Sequence, residues 1–162
     1  MKKGFTMIEL IFVIVILGIL ASVAIPRLAA TREDAEISAT VANLRTLVSD
    51  VTAYYTAKGE FGSTTKWSEI TNVPLNNAAG TNATAEAKLK AGGKDCIGVQ
   101  LQNKNGTTPA HILFTKKTDG GSVCTQVLAS DPLKAYFTSK VNGKPTEANK
   151  GAIAIGSSTS VY

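Results

Sequence analysis

The sequence has few of the side chains from which catalytic and metal sites are usually built. Its 162 residues include one histidine, His111, and two cysteines, Cys96 and Cys124, and these spacings do not form a zinc-binding pattern. It also lacks a nucleophile elbow, a zinc-protease helix motif, a phosphate-binding glycine loop and an EF-hand loop. We therefore expect no enzyme activity, no catalytic residue, no cofactor and no metal site, and we interpret His111 as a structural or surface residue.

Charge is too balanced in this chain to identify a partner. There are 17 lysines and arginines against 12 acidic residues, and the net charge of +5 is too small to predict nucleic-acid binding by itself. A DNA-binding surface made by Lys94, Lys104, Lys116 and Lys117 is the weaker alternative, because scattered lysines usually form a solvated face. We expect no nucleic-acid partner.

What the sequence does contain is one long apolar run at its N-terminus. Residues 10–25 carry no charge, and the run that begins at Phe5 is about 21 residues long, enough for a helix to span a bilayer. Glu9 lies near the start of the run. An acidic residue in such a segment is a functional hypothesis by default.

The flanks of this run predict its orientation in the membrane. Lys2 and Lys3 precede it, so the positive-inside rule predicts a cytoplasmic N-terminus and places the chain after Pro26 outside the cytoplasmic membrane. The alternative is a removable secretory signal with a cleavage site at residues 22–24. The acidic residue, the length of the run and a helical periodicity that continues past Pro26 argue against that alternative.

The residues at the start of the run resemble a known processing signal. Gly4 and Phe5 are followed by Glu9 and Leu10, and this pattern resembles the class III leader of type IV pilins and of type II secretion pseudopilins. The resemblance is close through about residue 30 of the chain. It implies an α+β fold in which a long N-terminal helix, transmembrane in its first half, packs on a small antiparallel β-sheet headgroup.

The resemblance also implies roles for individual residues. A prepilin peptidase would cut between Gly4 and Phe5, and Phe5 would then be N-methylated. Glu9 would neutralise the N-terminal amine of a neighbouring subunit and so set the register of assembly. Gly18 and Pro26 would bound a segment that loses helicity and lets the filament bend. The implied partners are other pilin subunits in a homopolymer, the peptidase, an inner-membrane assembly platform and, before assembly, membrane lipid.

The resemblance leaves the kind of filament open. The chain is expected to be a single-pass inner-membrane precursor that becomes a subunit of an extracellular type IV pilus. The alternative is a pseudopilin in a periplasmic filament, and a DNA-uptake pilin is the weaker reading. Major pseudopilins carry a calcium site near the C-terminus, but Asp119, Asp131 and Glu147 do not match its ligands. Calcium therefore has no support from a matched motif.

The sequence predicts four segments and their elements. The segments are a leader at 1–4, a helix at 5–58, a connecting region at 59–95 and a β-sheet headgroup with a C-terminal segment at 96–162. Residues 5–26 are expected to span the membrane or form the filament core, whereas residues 27–58 are amphipathic. The apolar stripe of this second half comprises Ile37, Val41, Leu44, Val48, Val51 and Tyr55.

Patterning also predicts the elements that follow the long helix. Gly59 ends that helix, and Trp67, Ile70, Val73 and Leu75 are apolar anchors of the connecting region. The later elements are a short helix at 85–91, strands at 96–102, 111–117, 122–128 and 152–155, and a helix from about 131 to an Asn142-Gly143 stop.

The two cysteines are predicted to form a disulfide. An even number of cysteines in an exported chain favours a bridge, and Cys96 and Cys124 fall in two strands of the same predicted sheet. Two buried free thiols are the alternative.

Overall fold

A computed structural model of the chain describes residues 4–76, 82–117, 119–138 and 150–155. The chain divides into two compact units, Met1–Ala35 and Glu36–Tyr162, and each is described by itself. The first helix, α1, comprises Met7–Lys58 and contributes to both units. The predicted long N-terminal helix is therefore confirmed, with its start two residues later than expected.

In the first unit, residues 10–25 of α1 are uncharged on all sides, and α1 buries none of its large hydrophobic side chains there. The large hydrophobic residues from Phe5 to Leu28 are between 40% and 91% exposed. The best 18-residue window of α1 has a mean hydropathy of 2.9 and is 0% buried. By length and composition, α1 can cross a membrane, and it is the one such helix in the described part of the chain.

In the second unit, α1 buries one face in the core of the headgroup. Thr40, Leu44, Leu47 and Val51 are buried, because residues three and four positions apart lie on the same side of a helix. The other members of the predicted stripe are partly buried against the same core: Ile37, Val41, Val48 and Tyr55. Gly59 ends the helix as predicted, with a φ of 79° and its N–H donating to the carbonyl of Tyr55 at 2.7 Å.

The headgroup contains a five-stranded antiparallel sheet in which each strand pairs with the next along the chain. Its strands are β1 (Leu75–Asn76), β2 (Ala87–Ala91), β3 (Lys94–Gln102), β4 (His111–Lys116) and β5 (Lys150–Ala154). The predicted strands at 96–102, 111–117 and 152–155 are confirmed with small shifts at their ends. The fold is α+β, as expected for a pilin.

The predicted helix at 85–91 is wrong, because these residues form β2. Ala87, Leu89 and Ala91 are buried and Lys90 is exposed, so burial alternates with the period of a strand. Gly92 and Gly93 form the turn of the β2–β3 hairpin, with positive φ values of 60° at Gly92 and 76° at Gly93. Two residues with positive φ are what a tight hairpin requires.

Two sets of contacts hold the connecting region against the rest of the headgroup. The helix α2 (Trp67–Ile70) buries Trp67 to 1% exposure, as expected of an apolar anchor. The side-chain amide of Asn103 then holds the backbone of Phe61 from both sides: its Oδ1 accepts from the Phe61 N–H at 2.8 Å, and its Nδ2 donates to the Phe61 carbonyl at 2.7 Å. Val73 and Leu75 are partly buried against the core.

The predicted strand at 122–128 is also wrong, because these residues lie in helix α3 (Gly121–Ala129). Its buried residues, Val123, Cys124 and Val127, lie on one helical face. The helix α4 (Asp131–Thr138) begins where it was predicted. Its predicted stop at residues 142–143 lies outside the described residues.

The predicted disulfide is confirmed, and the alternative of two free thiols is wrong. Cys96 and Cys124 are bonded with an S–S distance of 2.02 Å, and both are buried. The bridge joins strand β3 to helix α3 rather than two strands, because α3 replaces the expected strand. Gly120 lies against it: a Cβ at this position would be 2.5 Å from Cys124 Sγ and 3.0 Å from the Asp95 carbonyl.

Candidate functional site

The expected cleavage point lies in accessible, non-helical backbone. Gly4 and Phe5 precede the start of α1 at Met7 and are exposed, Phe5 at 91%. A Cβ placed on Gly4 would meet nothing within 4 Å in this structure. Any requirement for glycine at this position would therefore come from the peptidase and not from packing within the chain.

Glu9 takes part in a capping box at the start of α1. The Thr6 hydroxyl donates to Glu9 Oε2 at 2.6 Å, and the Thr6 N–H donates to the same oxygen at 2.8 Å. In return, the Glu9 N–H donates to the Thr6 hydroxyl oxygen at 3.3 Å. This reciprocal arrangement satisfies backbone donors that have no partner at a helix N-terminus.

The capping box directs the Glu9 carboxylate toward the N-terminus of the chain. Both hydrogen bonds from Thr6 reach Oε2, and none from the described residues reaches Oε1. One oxygen therefore remains available to an outside donor. Thr6 was not recognised as a partner of Glu9 in the sequence, although a threonine followed three residues later by a glutamate is the recognised signal for this cap.

The structure places Gly18 and Pro26 inside one continuous helix. The helix passes through both, and a Cβ on Gly18 would meet nothing within 4 Å. Ser22, four residues before the proline, donates its hydroxyl to the Ile19 carbonyl at 2.7 Å. Such bonds often accompany bends in helices. The role of this segment in bending the filament stays a prediction.

The four lysines considered for DNA binding do not all lie together, because Lys104 is far from Lys94. Lys94 begins β3 and Lys104 lies beyond its other end, so a nine-residue strand of roughly 30 Å separates them. Lys117 Nζ lies 2.8 Å and 2.9 Å from the two carboxylate oxygens of Glu86. Lys116 Nζ lies 4.9 Å from the ring centre of Phe137. The ammonium groups of Lys116 and Lys117 therefore already contact other side chains of the headgroup.

The histidine of the headgroup and an open cavity beside α3 bear on catalysis and metal binding. His111 is half-buried, and its Nδ1 lies 3.0 Å from the Pro109 carbonyl oxygen. Groups of three or more potential metal ligands are absent from the described residues. An open cavity of about 380 Å³ beside α3 is lined by Lys116, Lys117, Gly120, Gly121, Cys124, Thr125, Leu128 and Ala129.

Comparison with known proteins finds a family motif in the N-terminal region and relatives that match most of the chain. The prokaryotic N-terminal methylation motif matches residues 1–25. A fimbrial protein of Neisseria meningitidis serogroup B (strain ATCC BAA-335 / MC58) is 34% identical over 153 residues, which cover 83% of this chain and 79% of that protein. The chain belongs to the type IV pilin family. The exposed apolar helix, the capped glutamate and the sheet described above are thus parts of a pilin.

A second relative covers less of the chain. The type IV major pilin protein PilE1 of Neisseria gonorrhoeae is 35% identical over 113 residues, or 70% of this pilin, which spans only 59% of that relative. No solved structure matches the chain.

Proposed function

We propose that this pilin is a filament subunit that is cleaved between Gly4 and Phe5, N-methylated on Phe5 and polymerised through α1. Residues 1–4 are the leader in this proposal, and residues 5–26 form the membrane span and then the filament core. The precursor crosses the inner membrane once with its N-terminus in the cytoplasm. A prepilin peptidase and an assembly platform in that membrane act on it before it joins other copies of itself.

The apolar surface of the first unit carries this proposal. Large side chains such as Phe12, Leu17 and Ile25 are 66%, 58% and 67% exposed and contact no core of the chain. An exposed apolar surface of this extent needs lipid or protein around it. Lipid covers it before assembly in this proposal, and the equivalent helices of other subunits cover it afterwards.

Glu9 supplies the specific contact within that apolar surface. Cleavage after Gly4 creates a positively charged amine on Phe5, which is unfavourable in a filament core unless an anion compensates it. In this proposal, Glu9 Oε1 accepts a hydrogen bond from the Phe5 amine of the next subunit. The bonds from Thr6 to Oε2 hold the carboxylate in place for that contact.

The relatives favour a pilus over a secretion pseudopilus, since those compared are named as pilins or fimbrial proteins. Neither an enzymatic role nor DNA binding has support of this kind. The sequence alone does not distinguish a pilus from a pseudopilus, but the length of the filament does. A pilus extends well beyond the cell, whereas a pseudopilus stays within the periplasm.

The proposal is tested by replacing Glu9 and measuring assembly. Wild type, Glu9→Val and Glu9→Gln are produced at equal levels in the native host, and sheared filament is compared with membrane-bound subunit. We expect both variants to enter the membrane and to be processed to a Phe5 N-terminus, which N-terminal sequencing shows. We expect filament yield to fall to a small fraction of wild type in both.

The Glu9→Gln variant separates the effect of the negative charge on Glu9 from its role in capping α1. Glutamine can complete a capping box but carries no charge, so it keeps the helix start and removes the partner of the amine. Wild-type filament yield in Glu9→Gln would assign Glu9 to helix capping alone. Wild-type yield in Glu9→Val would contradict the assembly role altogether. Electron microscopy of the wild-type filaments gives their length and so decides between pilus and pseudopilus.

A further inference from the structure

The sequence contains two Asn-x-Thr tripeptides, at residues 82–84 and 105–107. This tripeptide is the acceptor pattern for N-linked glycosylation in exported proteins, where it is used on surface loops. The pattern is too short to be informative by itself. The fold, however, distinguishes sharply between its two copies.

The second tripeptide forms the tip of the β3–β4 hairpin. The Asn105 N–H donates to the Thr108 carbonyl at 3.0 Å, and the Thr108 N–H donates to the Asn105 carbonyl at 2.9 Å. Gly106 and Thr107 are therefore the two residues of the turn, and the φ of 57° at Gly106 suits glycine. Asn105, Gly106 and Thr107 are all exposed.

In the first tripeptide, Asn82 is exposed, but Thr84 is half-buried and the residue between them lies in the core of the headgroup. Ala83, its central residue, is 0% exposed. The Ala83 N–H donates to the Thr65 carbonyl at 2.7 Å, and the Leu101 N–H donates to the Ala83 carbonyl at 3.3 Å. A transferase must hold the acceptor tripeptide in its own site. It could reach this one only after part of the headgroup had unfolded.

We propose that Asn105 is an acceptor for an N-linked glycan and that Asn82 is not. The donor is an oligosaccharide attached through its anomeric carbon to a lipid diphosphate. The Asn105 side-chain nitrogen forms a bond to that carbon and loses a proton, while the bond from the carbon to the diphosphate oxygen breaks. Lipid diphosphate leaves. The Thr107 hydroxyl is the second element that the transferase recognises.

This inference rests on the proposed function in one respect, because the headgroup must leave the cytoplasm to meet the transferase. Subunits recovered in sheared filaments have already been exported and assembled. Membrane-bound subunits that carry the Cys96–Cys124 disulfide have also reached an oxidising compartment. Analysis of these two pools therefore separates a failure of glycosylation from a failure of export or assembly.

The experiment is peptide mapping of subunits purified from the native host. The digestion is chosen so that Asn105 lies inside its peptide, and we expect that peptide to carry added glycan mass. A peptide amidase that cleaves N-linked glycans should remove this mass and leave aspartate at position 105. The peptide containing Asn82 should keep its unmodified mass. An unmodified Asn105 peptide in the filament or oxidised pool would overturn the proposal.

Matched variants identify the recognised side chains. Asn105→Gln and Thr107→Ala should abolish the added mass, whereas Thr107→Ser, which keeps the hydroxyl, should retain it. Asn82→Gln should have no effect on it. Added mass that persists in Asn105→Gln, or that resists the amidase, would assign the sugar to a hydroxyl such as that of Thr107 and would also overturn the proposal.

Discussion

The two units of this pilin differ in how far they bury their large hydrophobic side chains. The headgroup buries its large hydrophobic residues in one cluster, in which Leu44, Trp67 and Phe114 are at most 1% exposed. Among the described residues of the first unit, none of the large hydrophobic side chains is buried, and Phe5 is 91% exposed. The headgroup is therefore stabilised by its own packing, whereas the first unit depends on surroundings that other molecules supply.

The two units also differ in whether their polar side-chain atoms have hydrogen-bond partners within the chain. In the described part of the headgroup, every buried side-chain nitrogen and oxygen has a hydrogen-bond partner within the chain. Glu9, in contrast, keeps one carboxylate oxygen without a partner among the described residues. We therefore expect headgroup substitutions to change stability, and substitutions in the first unit to change membrane insertion or assembly. Three predictions test this separation.

The largest expected effect concerns the disulfide. Replacing Cys96 and Cys124 by alanine opens a loop of 28 residues. The chain-entropy estimate for such a loop is about 3 to 4 kcal/mol of lost unfolding free energy. Urea unfolding of the full chain in detergent can be followed by fluorescence of Trp67, the one tryptophan of the sequence. Insertion of the first unit into the membrane should stay as in wild type.

Reduction provides the control for this prediction. A reductant should lower the unfolding midpoint of the wild-type protein but not that of the double variant. Equal midpoints for oxidised wild type and the double variant would show that the bridge adds nothing to the headgroup. Loss of membrane insertion in the double variant would contradict the separation of the two units.

The parts of the fold that were predicted from sequence are those with a strong local signal. The apolar run and Gly59 define α1, and the alternation around Val99 defines β3. Strand β2 was mistaken for a helix, because alanine, lysine and leucine are good helix formers. Pairing with β3 overrides that propensity, since Ala87 and Leu89 lie opposite Val99 and Ile97.

Helix α3 was mistaken for the opposite reason. Val123, Thr125 and Val127 are β-branched and suggest a strand, but packing and the bridge at Cys124 hold this segment as a helix. These are tertiary effects that a local pattern does not contain. The candidate site could be predicted in part. The position of Glu9 in the apolar run was evident from the sequence, and the spacing of Thr6 and Glu9 would also have predicted the capping box.

The second prediction concerns a glycine that packing requires. A Cβ on Gly151 in β5 would clash with the Tyr136 carbonyl and with Phe137 Cα, which are backbone atoms of α4. Because backbone cannot move aside as a long side chain can, Gly151→Ala should displace α4. We expect the unfolding free energy of the headgroup to fall by about 1 to 3 kcal/mol, measured by the same urea titration.

Gly18→Ala is the matched control in the first unit. Its Cβ would meet nothing within 4 Å, and alanine favours a helix over glycine. Headgroup unfolding should therefore be unchanged in Gly18→Ala. A stable Gly151→Ala would show that α4 can adjust its position on β5. A headgroup destabilised by Gly18→Ala would show that the stability of the headgroup depends on the first unit.

The smallest expected effect concerns the pH dependence of the headgroup. Asp95 Oδ1 accepts a hydrogen bond from Asn76 Nδ2 at 2.9 Å, and Lys88 Nζ lies 3.2 Å from Oδ2. The hydrogen bond from Asn76, assisted by the positive charge of Lys88, holds the pKa of the Asp95 carboxyl below its usual value. A lowered pKa means that the folded state binds the proton less well than the unfolded state does. The resulting stability is present above the unfolded pKa of about 4 and is lost as the pH falls through the folded pKa.

Asp95→Asn should consequently lose part of the acid dependence that wild type shows between about pH 6 and about pH 3. The measurement is the urea midpoint of Trp67 fluorescence across that range. Asp131→Asn is the control, because Lys134 lowers the pKa of the Asp131 carboxyl as well, but the Asp131 side chain is 92% exposed and water screens the pair. Its pH dependence should stay closer to wild type. An Asp95→Asn slope equal to that of wild type would show that Asp95 is not coupled to folding.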